Sequence, residues 1–115
     1  MIHLIPFIIK LQLTFVSVSY YYPAANQCQG DYTITADGSK IDTVALRAGK
    51  LKWCALSRDM LSRWGGQYNY GDSINLHGLG WYEVHDCMNA RFKQKVDILS
   101  YTRIGITKTY IIETK

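Results

Sequence analysis

The chain has 115 residues, which is enough for one domain, because dividing it in two would leave neither half enough interior to bury. Hydrophobic residues make up 48% of the chain and charged residues 19%, a balance that excludes an intrinsically disordered protein. The net charge of +4 favours anionic partners. No helix-turn-helix, zinc-finger or RNA-binding signature accompanies that charge, so we do not expect a nucleic-acid partner.

The N-terminal segment, residues 1–14, is apolar and open to two interpretations. It lacks a basic start and a small-x-small cleavage site and carries Lys10 in its middle, so a signal peptide is unconvincing. It is also too short and interrupted to span a bilayer, which predicts no stable membrane insertion. Apolar and polar residues alternate over residues 11–20, as in a β-strand. The segment is therefore interpreted as a first strand or a degenerate export signal, ahead of a domain over residues 15–115.

The remaining elements are short. Residues 23–38 are rich in Pro, Asn, Gly and Asp and predict a loop, whereas residues 58–64 have helical spacing and end at two glycines. Strands are predicted at residues 52–57, 73–77, 81–86, 96–101 and 108–114. Together with the first strand, this pattern of six or seven strands and one short helix favours a small β-barrel or sandwich over a parallel α/β fold.

Asp86 stands out among the nine acidic residues because of the strand that it ends. Strict alternation in residues 81–86 places Asp86 on one face with Tyr82 and Val84, and His85 on the other. A carboxyl beside apolar groups has a raised pKa, as a general acid near neutral pH requires. The alternative is a turn residue that caps the following loop.

Arg91, Lys93, Lys95 and Asp97 would share one face if their segment is extended. One interpretation is an ordinary solvated strand face. The other is a cationic rim that attracts an anionic polymer and holds Asp97 ionised beside it. The residues alone leave both open.

Three cysteines, Cys28, Cys54 and Cys87, are too few for a disulfide scaffold, and one bridge with one free thiol stays open. No Cys-x-x-Cys or His-x-x-x-His pair is present, so we expect no metal site. No phosphate-binding glycine loop is present either, and we expect no cofactor. Cys87 and His85 would share a strand face, as a thiol nucleophile beside an imidazole. No third residue that would orient the two side chains is identifiable.

Five motifs follow one another along the chain. They are Thr35-Ala36-Asp37-Gly38-Ser39, Trp53-Cys54-Ala55-Leu56-Ser57-Arg58-Asp59, Tyr70-Gly71-Asp72, Val84-His85-Asp86-Cys87-Met88-Asn89-Ala90-Arg91 and Val96-Asp97-Ile98-Leu99. In this order they resemble the three-aspartate domain, which belongs with the double-psi β-barrels of membrane-bound lytic transglycosylase A, rare lipoprotein A and the expansins. The resemblance covers roughly residues 15–101.

The resemblance implies a mainly β fold, a small six-stranded double-psi β-barrel with one short helix. It also implies a lytic-transglycosylase-like activity that cleaves the bond between muramic acid and glucosamine in peptidoglycan with a single aspartate as acid and base. The family aspartates match Asp59, Asp86 and Asp97. The implied catalytic residues are Asp86, as acid/base, and Asp97, lining the same cleft. The resemblance also implies that Thr35 contributes a hydroxyl to the cleft and that Asp59 is chiefly a support for the fold. Independently of the resemblance, the basic run and the aromatic residues complete the expected substrate-binding group with Arg91, Lys93, Tyr70 and Trp81.

Two departures from the family pattern bear on this expectation. The transglycosylases follow the central aspartate with Thr-Gly-Gly, where this chain has Cys87-Met88-Asn89, and they carry a second domain that clamps the glycan. The alternatives are therefore a non-catalytic cell-wall glycan-binding barrel, or a structural component of a phage particle or other wall-directed assembly. Each would work in the cell envelope, periplasmic or extracellular, or on a virion, with peptidoglycan strands as partner.

Overall fold

The computed structural model describes residues 14–22, 33–101 and 108–113. They contain six strands, β1 to β6, and one helix, α1. In chain order these are β1 (Thr14–Tyr21), α1 (Thr43–Arg47), β2 (Trp53–Leu56), β3 (Ser73–Leu76), β4 (Gly80–Cys87), β5 (Lys95–Leu99) and β6 (Lys108–Glu113). The prediction of a mainly β fold is confirmed. Of the N-terminal segment, residues 1–14, only Thr14 is described, as the first residue of β1, so its interpretation as a degenerate export signal lies outside the described residues, as does most of the predicted loop.

Every strand pairs with two others, so the single six-stranded sheet closes on itself in the order β1-β5-β2-β4-β3-β6. The pairs β1–β5 and β2–β4 are parallel, and the other four are antiparallel. Both parallel pairs join strands that are not consecutive in the chain, because parallel neighbours need a crossover connection. A closed sheet leaves no unpaired strand edge.

The main core lies inside this closed sheet, where alternate residues of each strand meet. The side chains of Leu56, Leu76, Val84 and Val96 have no solvent exposure. The other buried residues of this cluster are Val16, Val18, Cys54, Met60, Leu61, Ile74, Tyr82, Ile98 and Ile112. The strand residues between these positions therefore face away from the main core, and the candidate site is formed on that opposite face.

A second, smaller cluster of Ile41, Leu46 and Leu99 lies under α1. The helix begins at an N-cap, Asp42, whose carboxylate accepts hydrogen bonds from the amides of Val44 and Ala45. α1 could not be predicted from the sequence, because five residues are too few to show a helical period. Among the described residues no helix is long and apolar enough to cross a membrane.

The prediction of a single helix at residues 58–64 is wrong. Two separate 3-10 turns occupy this segment, Arg58–Met60 and Ser62–Trp64. Leu61, between them, has an extended backbone (φ −93°, ψ 139°) and forms a bridge with Tyr68, so a continuous α-helix cannot pass through it. The predicted stop is correct, since Gly65 ends the second turn with a left-handed φ of 92°.

Candidate active site

A β-bulge in β4 determines where Asp86 points. Cys54 of β2 lies opposite Val84, but the next residue, Ala55, lies opposite Asp86, so the register skips His85. The prediction that Asp86 shares a face with Tyr82 and Val84 is therefore wrong. The extra residue turns the Asp86 side chain away from the core that Val84 enters.

The strand register places both candidate catalytic aspartates in one row. Asp97 of β5 lies opposite Ala55 of β2, and Ala55 lies opposite Asp86 of β4. On the other side of β5, Ser19 of β1 lies opposite Asp97. Directly opposed residues share a face, so Asp97 and Asp86 flank the small side chain of Ala55, with backbones about 10 Å apart across two strand spacings.

Asp86 is held by three donors. Its Oδ1 accepts hydrogen bonds from the amides of Ala36 and Cys87, both at 3.0 Å, and its Oδ2 accepts one from the Tyr21 hydroxyl at 3.3 Å. Burial raises the pKa of this carboxyl above its ordinary value, and the three donors oppose that rise. The charge of Asp37 raises the pKa further.

Asp97 has a different environment from Asp86. Its Oδ1 accepts a hydrogen bond from the Ser19 hydroxyl at 2.8 Å. Burial raises the pKa of Asp97, Ser19 and Lys95 lower it, and the charge of Asp86 raises it again. Asp86 thus has more of the donors that stabilise a carboxylate, while Asp97 is favoured in its neutral form by both burial and its neighbour.

A second carboxylate network lies against this row, in the turn that precedes α1. Asp37 accepts hydrogen bonds on Oδ1 from the Thr35 hydroxyl at 2.6 Å and the Ser39 amide at 3.0 Å, and its Oδ2 lies 2.6 Å from His85 Nδ1. Although burial acts to raise the pKa of Asp37, these contacts lower it. The His85 ring packs on Trp53 with ring centroids 4.1 Å apart. The bulged residue of β4 is therefore fastened to the turn that carries Ala36.

Two of the expected substrate-binding residues, Thr35 and Asp59, make hydrogen bonds within the protein. Thr35 is buried, and its hydroxyl donates to Asp37. Asp59 accepts a hydrogen bond from the amide of Gln94 at 3.0 Å, where the backbone has a left-handed φ of 48° just before β5. Asp59 thereby stabilises the start of the strand that carries Asp97.

The other four are spread around the molecule. Tyr70 is half-buried against the core, and the pKa of its hydroxyl is raised by burial, by Cys87 and by Asp86, so it lies near the row of carboxylates. Trp81 is 55% exposed and lines a separate cavity of about 320 Å³ with Lys50, Lys52 and Trp53. The structure does not bring Trp81 into contact with Asp86 or Asp97.

The predicted basic rim differs from an extended strand face. β5 begins only at Lys95, so Arg91 and Lys93 do not alternate on a strand with Asp97, and this expectation is wrong. Arg91 and Lys95 instead lie over the ring of Phe92, at 4.7 and 4.4 Å from its centroid. The positive charges form a cluster at the turn before β5.

The thiols and potential metal ligands can be placed only in part. Cys54 is buried and Cys87 half-buried, and both are free thiols, while Cys28 lies outside the described residues. Burial raises the pKa of Cys54. Within the described ranges, no three His, Cys, Asp or Glu side chains are grouped closely enough to hold a metal ion. His85 and Cys87 are separated by the bulge, since Cys87 packs against the core.

Sequence reasoning did not single out Tyr21, Ser19, Ala36 or Asp37 as parts of the site. The alternation in β1 contains a signal for two of them, because Ser19 and Tyr21 occupy the positions between the core-facing residues. Their partners could not be foreseen, since the parallel pairing of β1 with β5 joins segments 78 residues apart at Ser19 and Asp97.

The Tyr21→Phe variant is expected to raise the pKa of Asp86, because it removes a donor that stabilises the carboxylate and keeps the ring packing. The loss of one hydrogen bond should cost about 1 kcal/mol of stability. A pH titration of the Asp86 carboxyl carbon by NMR measures the shift. Tyr101→Phe is the control and should leave that pKa unchanged; a Tyr21→Phe titration identical to the wild type would contradict the assigned contact.

The stability of Asp97→Asn relative to the wild type is expected to rise with pH. The pKa of Asp97 is raised in the folded protein, so its contribution to stability is complete below the ordinary value of 3.8 and is lost as the pH rises through the folded value. Asparagine still accepts the Ser19 hydroxyl but cannot ionise. Thermal unfolding at pH 3 and pH 7 should show the larger advantage for the variant at pH 7; an advantage confined to pH 3 would contradict the raised pKa.

Comparisons with protein-family models, with curated proteins and with solved structures gave no match to this chain. The chemistry of this site must therefore be inferred from the residues and contacts of the molecule and from the motif resemblance.

Proposed function

We propose that the chain is a double-psi β-barrel of the three-aspartate type that cleaves peptidoglycan glycan strands as a lytic transglycosylase. Support for the barrel comes from the closed strand order and from two parallel pairs within an otherwise antiparallel sheet. Support for the activity comes from the motif resemblance together with the pair of carboxyls on one face.

The single observation that carries the proposal is the row that joins Asp97, Ala55 and Asp86. Two half-buried carboxyls with raised pKa values on one face suit proton transfer near neutral pH. Ala55 contributes only a methyl group between them. Both carboxyls therefore lie on the same face of the sheet, one on each side of that methyl group.

The contacts favour Asp97 over Asp86 as the proton donor, which revises the preference drawn from the sequence. Asp86 accepts two amide hydrogen bonds and one from a hydroxyl, as an ionised carboxylate does, whereas Asp97 has Ser19 and a negatively charged neighbour. When two nearby carboxyls interact, the second proton is lost at higher pH. Asp86 is then the charged partner that keeps Asp97 protonated.

The chemistry requires only one acid. Asp97 donates its proton to the glycosidic oxygen between muramic acid and glucosamine as the bond from that oxygen to the anomeric carbon breaks. The resulting carboxylate then takes the proton of the muramic acid 6-hydroxyl, whose oxygen bonds to the same carbon and closes an anhydro ring. No water attacks, so a second carboxylate on the opposite face of the sugar, as in inverting glycosidases, is not needed.

Purified sacculi incubated with the protein provide the test, with the released muropeptides analysed by chromatography and mass spectrometry. The expected products are muropeptides ending in anhydro-muramic acid. Products with reducing ends would identify a hydrolase. Pelleting with sacculi without any release would leave a glycan-binding barrel and overturn the proposed reaction.

A further inference from the structure

We propose that Asp37 and His85 form a positioning pair that holds the turn before α1 so that the Ala36 amide donates to Asp86. The proposal concerns a contact that can be measured without turnover, and its consequence for catalysis rests on the proposed function.

The pair connects two parts of the chain whose relative position must stay fixed for the row of Asp97, Ala55 and Asp86. His85 is the extra residue of the β4 bulge, and Asp86 follows it directly. Asp37 follows Ala36, whose amide is one of the donors to Asp86 Oδ1. A link between Asp37 and His85 therefore fixes the donor and the acceptor relative to each other.

The link consists of several contacts that act together. His85 Nδ1 lies 2.6 Å from Asp37 Oδ2, and the Asp37 amide donates to the His85 carbonyl at 3.2 Å. The other oxygen of Asp37 holds its own turn through Thr35 and Ser39. Each end of the pair is thus anchored, and the imidazole is additionally packed on Trp53.

This arrangement selects how His85 can bond. A charged Asp37 accepts a hydrogen bond from Nδ1–H, which leaves Nε2 directed away from the turn. Nε2 is buried and makes no hydrogen bond, although Glu83 Oε1 lies 3.4 Å from it. His85 therefore makes its polar contacts through the Asp37 side, which is the side that fastens the turn.

Through the Ala36 amide, the pair influences the protonation of Asp86 and, through Asp86, that of Asp97. The Ala36 amide is the strongest of the contacts that lower the pKa of Asp86. An ionised Asp86 in turn raises the pKa of Asp97. The other titratable groups that face Asp86 are Tyr21 from β1 and Tyr70, while Glu83 faces His85.

A double-mutant cycle read by NMR tests the proposal in the full chain. In the wild type, Asp86→Asn replaces a charged acceptor by a neutral one and should move the Ala36 amide proton resonance upfield at pH 7. His85→Phe keeps a ring against Trp53 but has no Nδ1, so in that background Asp86→Asn should no longer move the resonance. Asp37→Ala breaks the same contact from the turn and should behave alike, which covers the case in which one variant fails to fold.

Asp42→Ala is the matched control. It removes a nearby aspartate that also accepts hydrogen bonds from two backbone amides, at the N-terminus of α1. The response of the Ala36 resonance to Asp86→Asn should then stay as in the wild type. An unchanged Ala36 response in both His85→Phe and Asp37→Ala would overturn the proposal.

Where sacculi are cleaved, the two variants should also lose turnover by up to about 100-fold with little change in KM, because misplaced catalytic groups cost rate. A chain that shows the cycle but releases no anhydro-muropeptide retains the positioning pair and refutes only the proposed reaction.

Discussion

The Asp97→Asn variant is expected to lose at least about 100-fold of glycan cleavage, within the range of 10²–10⁴ that general acid–base catalysis supplies. Asparagine keeps the size of aspartate and can still accept the Ser19 hydroxyl, but it can neither donate an acidic proton nor take one back. The variant should stay folded, since a half-buried carboxyl with a raised pKa is replaced by a neutral side chain. Release of anhydro-muropeptides and thermal unfolding, measured on the same sample, check both parts.

Asp86→Asn separates the two candidate acids. If Asp97 is the donor, Asp86→Asn removes the negative charge that keeps Asp97 protonated, so the activity should fall less and the upper limb of the pH profile should move to lower pH. Asp42→Asn is a matched control, because asparagine caps a helix as well as aspartate does. Full activity in Asp97→Asn with complete loss in Asp86→Asn would return the acid role to Asp86.

The Gly66→Ala variant is expected to lose about 3 kcal/mol of stability, at the upper end of the usual cost of overpacking. A Cβ at Gly66 would lie 2.1 Å from the Met60 carbonyl carbon and 2.6 Å from the Asp59 carbonyl oxygen, and both are backbone atoms that cannot rotate away. Relief of that overlap must move the segment whose Asp59 side chain holds the backbone before β5.

Gly65→Ala is the control for this second variant. Gly65 has a left-handed φ of 92°, but a Cβ there would meet no atom within 4 Å. Its cost should therefore be only the conformational penalty of about 1 kcal/mol. Chemical denaturation of both variants measures the difference, and equal losses would show that the close approach of Gly66 to the Met60 backbone does not limit stability.

The elements with a clear period were predictable, whereas those that depend on a local exception were not. Five of the six strands lie within one or two residues of their predicted bounds, because alternation reports directly which side chains are buried. The alternation could not reveal the bulge at His85, because a period of two assumes that no residue is inserted. The orientation of Asp86 was consequently predicted on the wrong face.

The sequence by itself determined that the chain is mainly β, where its strands lie, and that Asp86 and Asp97 are the aspartates to consider. Only the tertiary structure decided that β5 and β4 both lie next to β2, which puts the two carboxyls on either side of Ala55. It also decided which donors each carboxyl receives, through Tyr21 and Ala36 for Asp86 and Ser19 for Asp97. The physical reason is that hydrophobic periodicity is a local property of the chain, whereas the strand neighbours and hydrogen-bond partners named here are separated by 31 (Ala55 and Asp86) to 78 (Ser19 and Asp97) residues and depend on how the whole sheet closes.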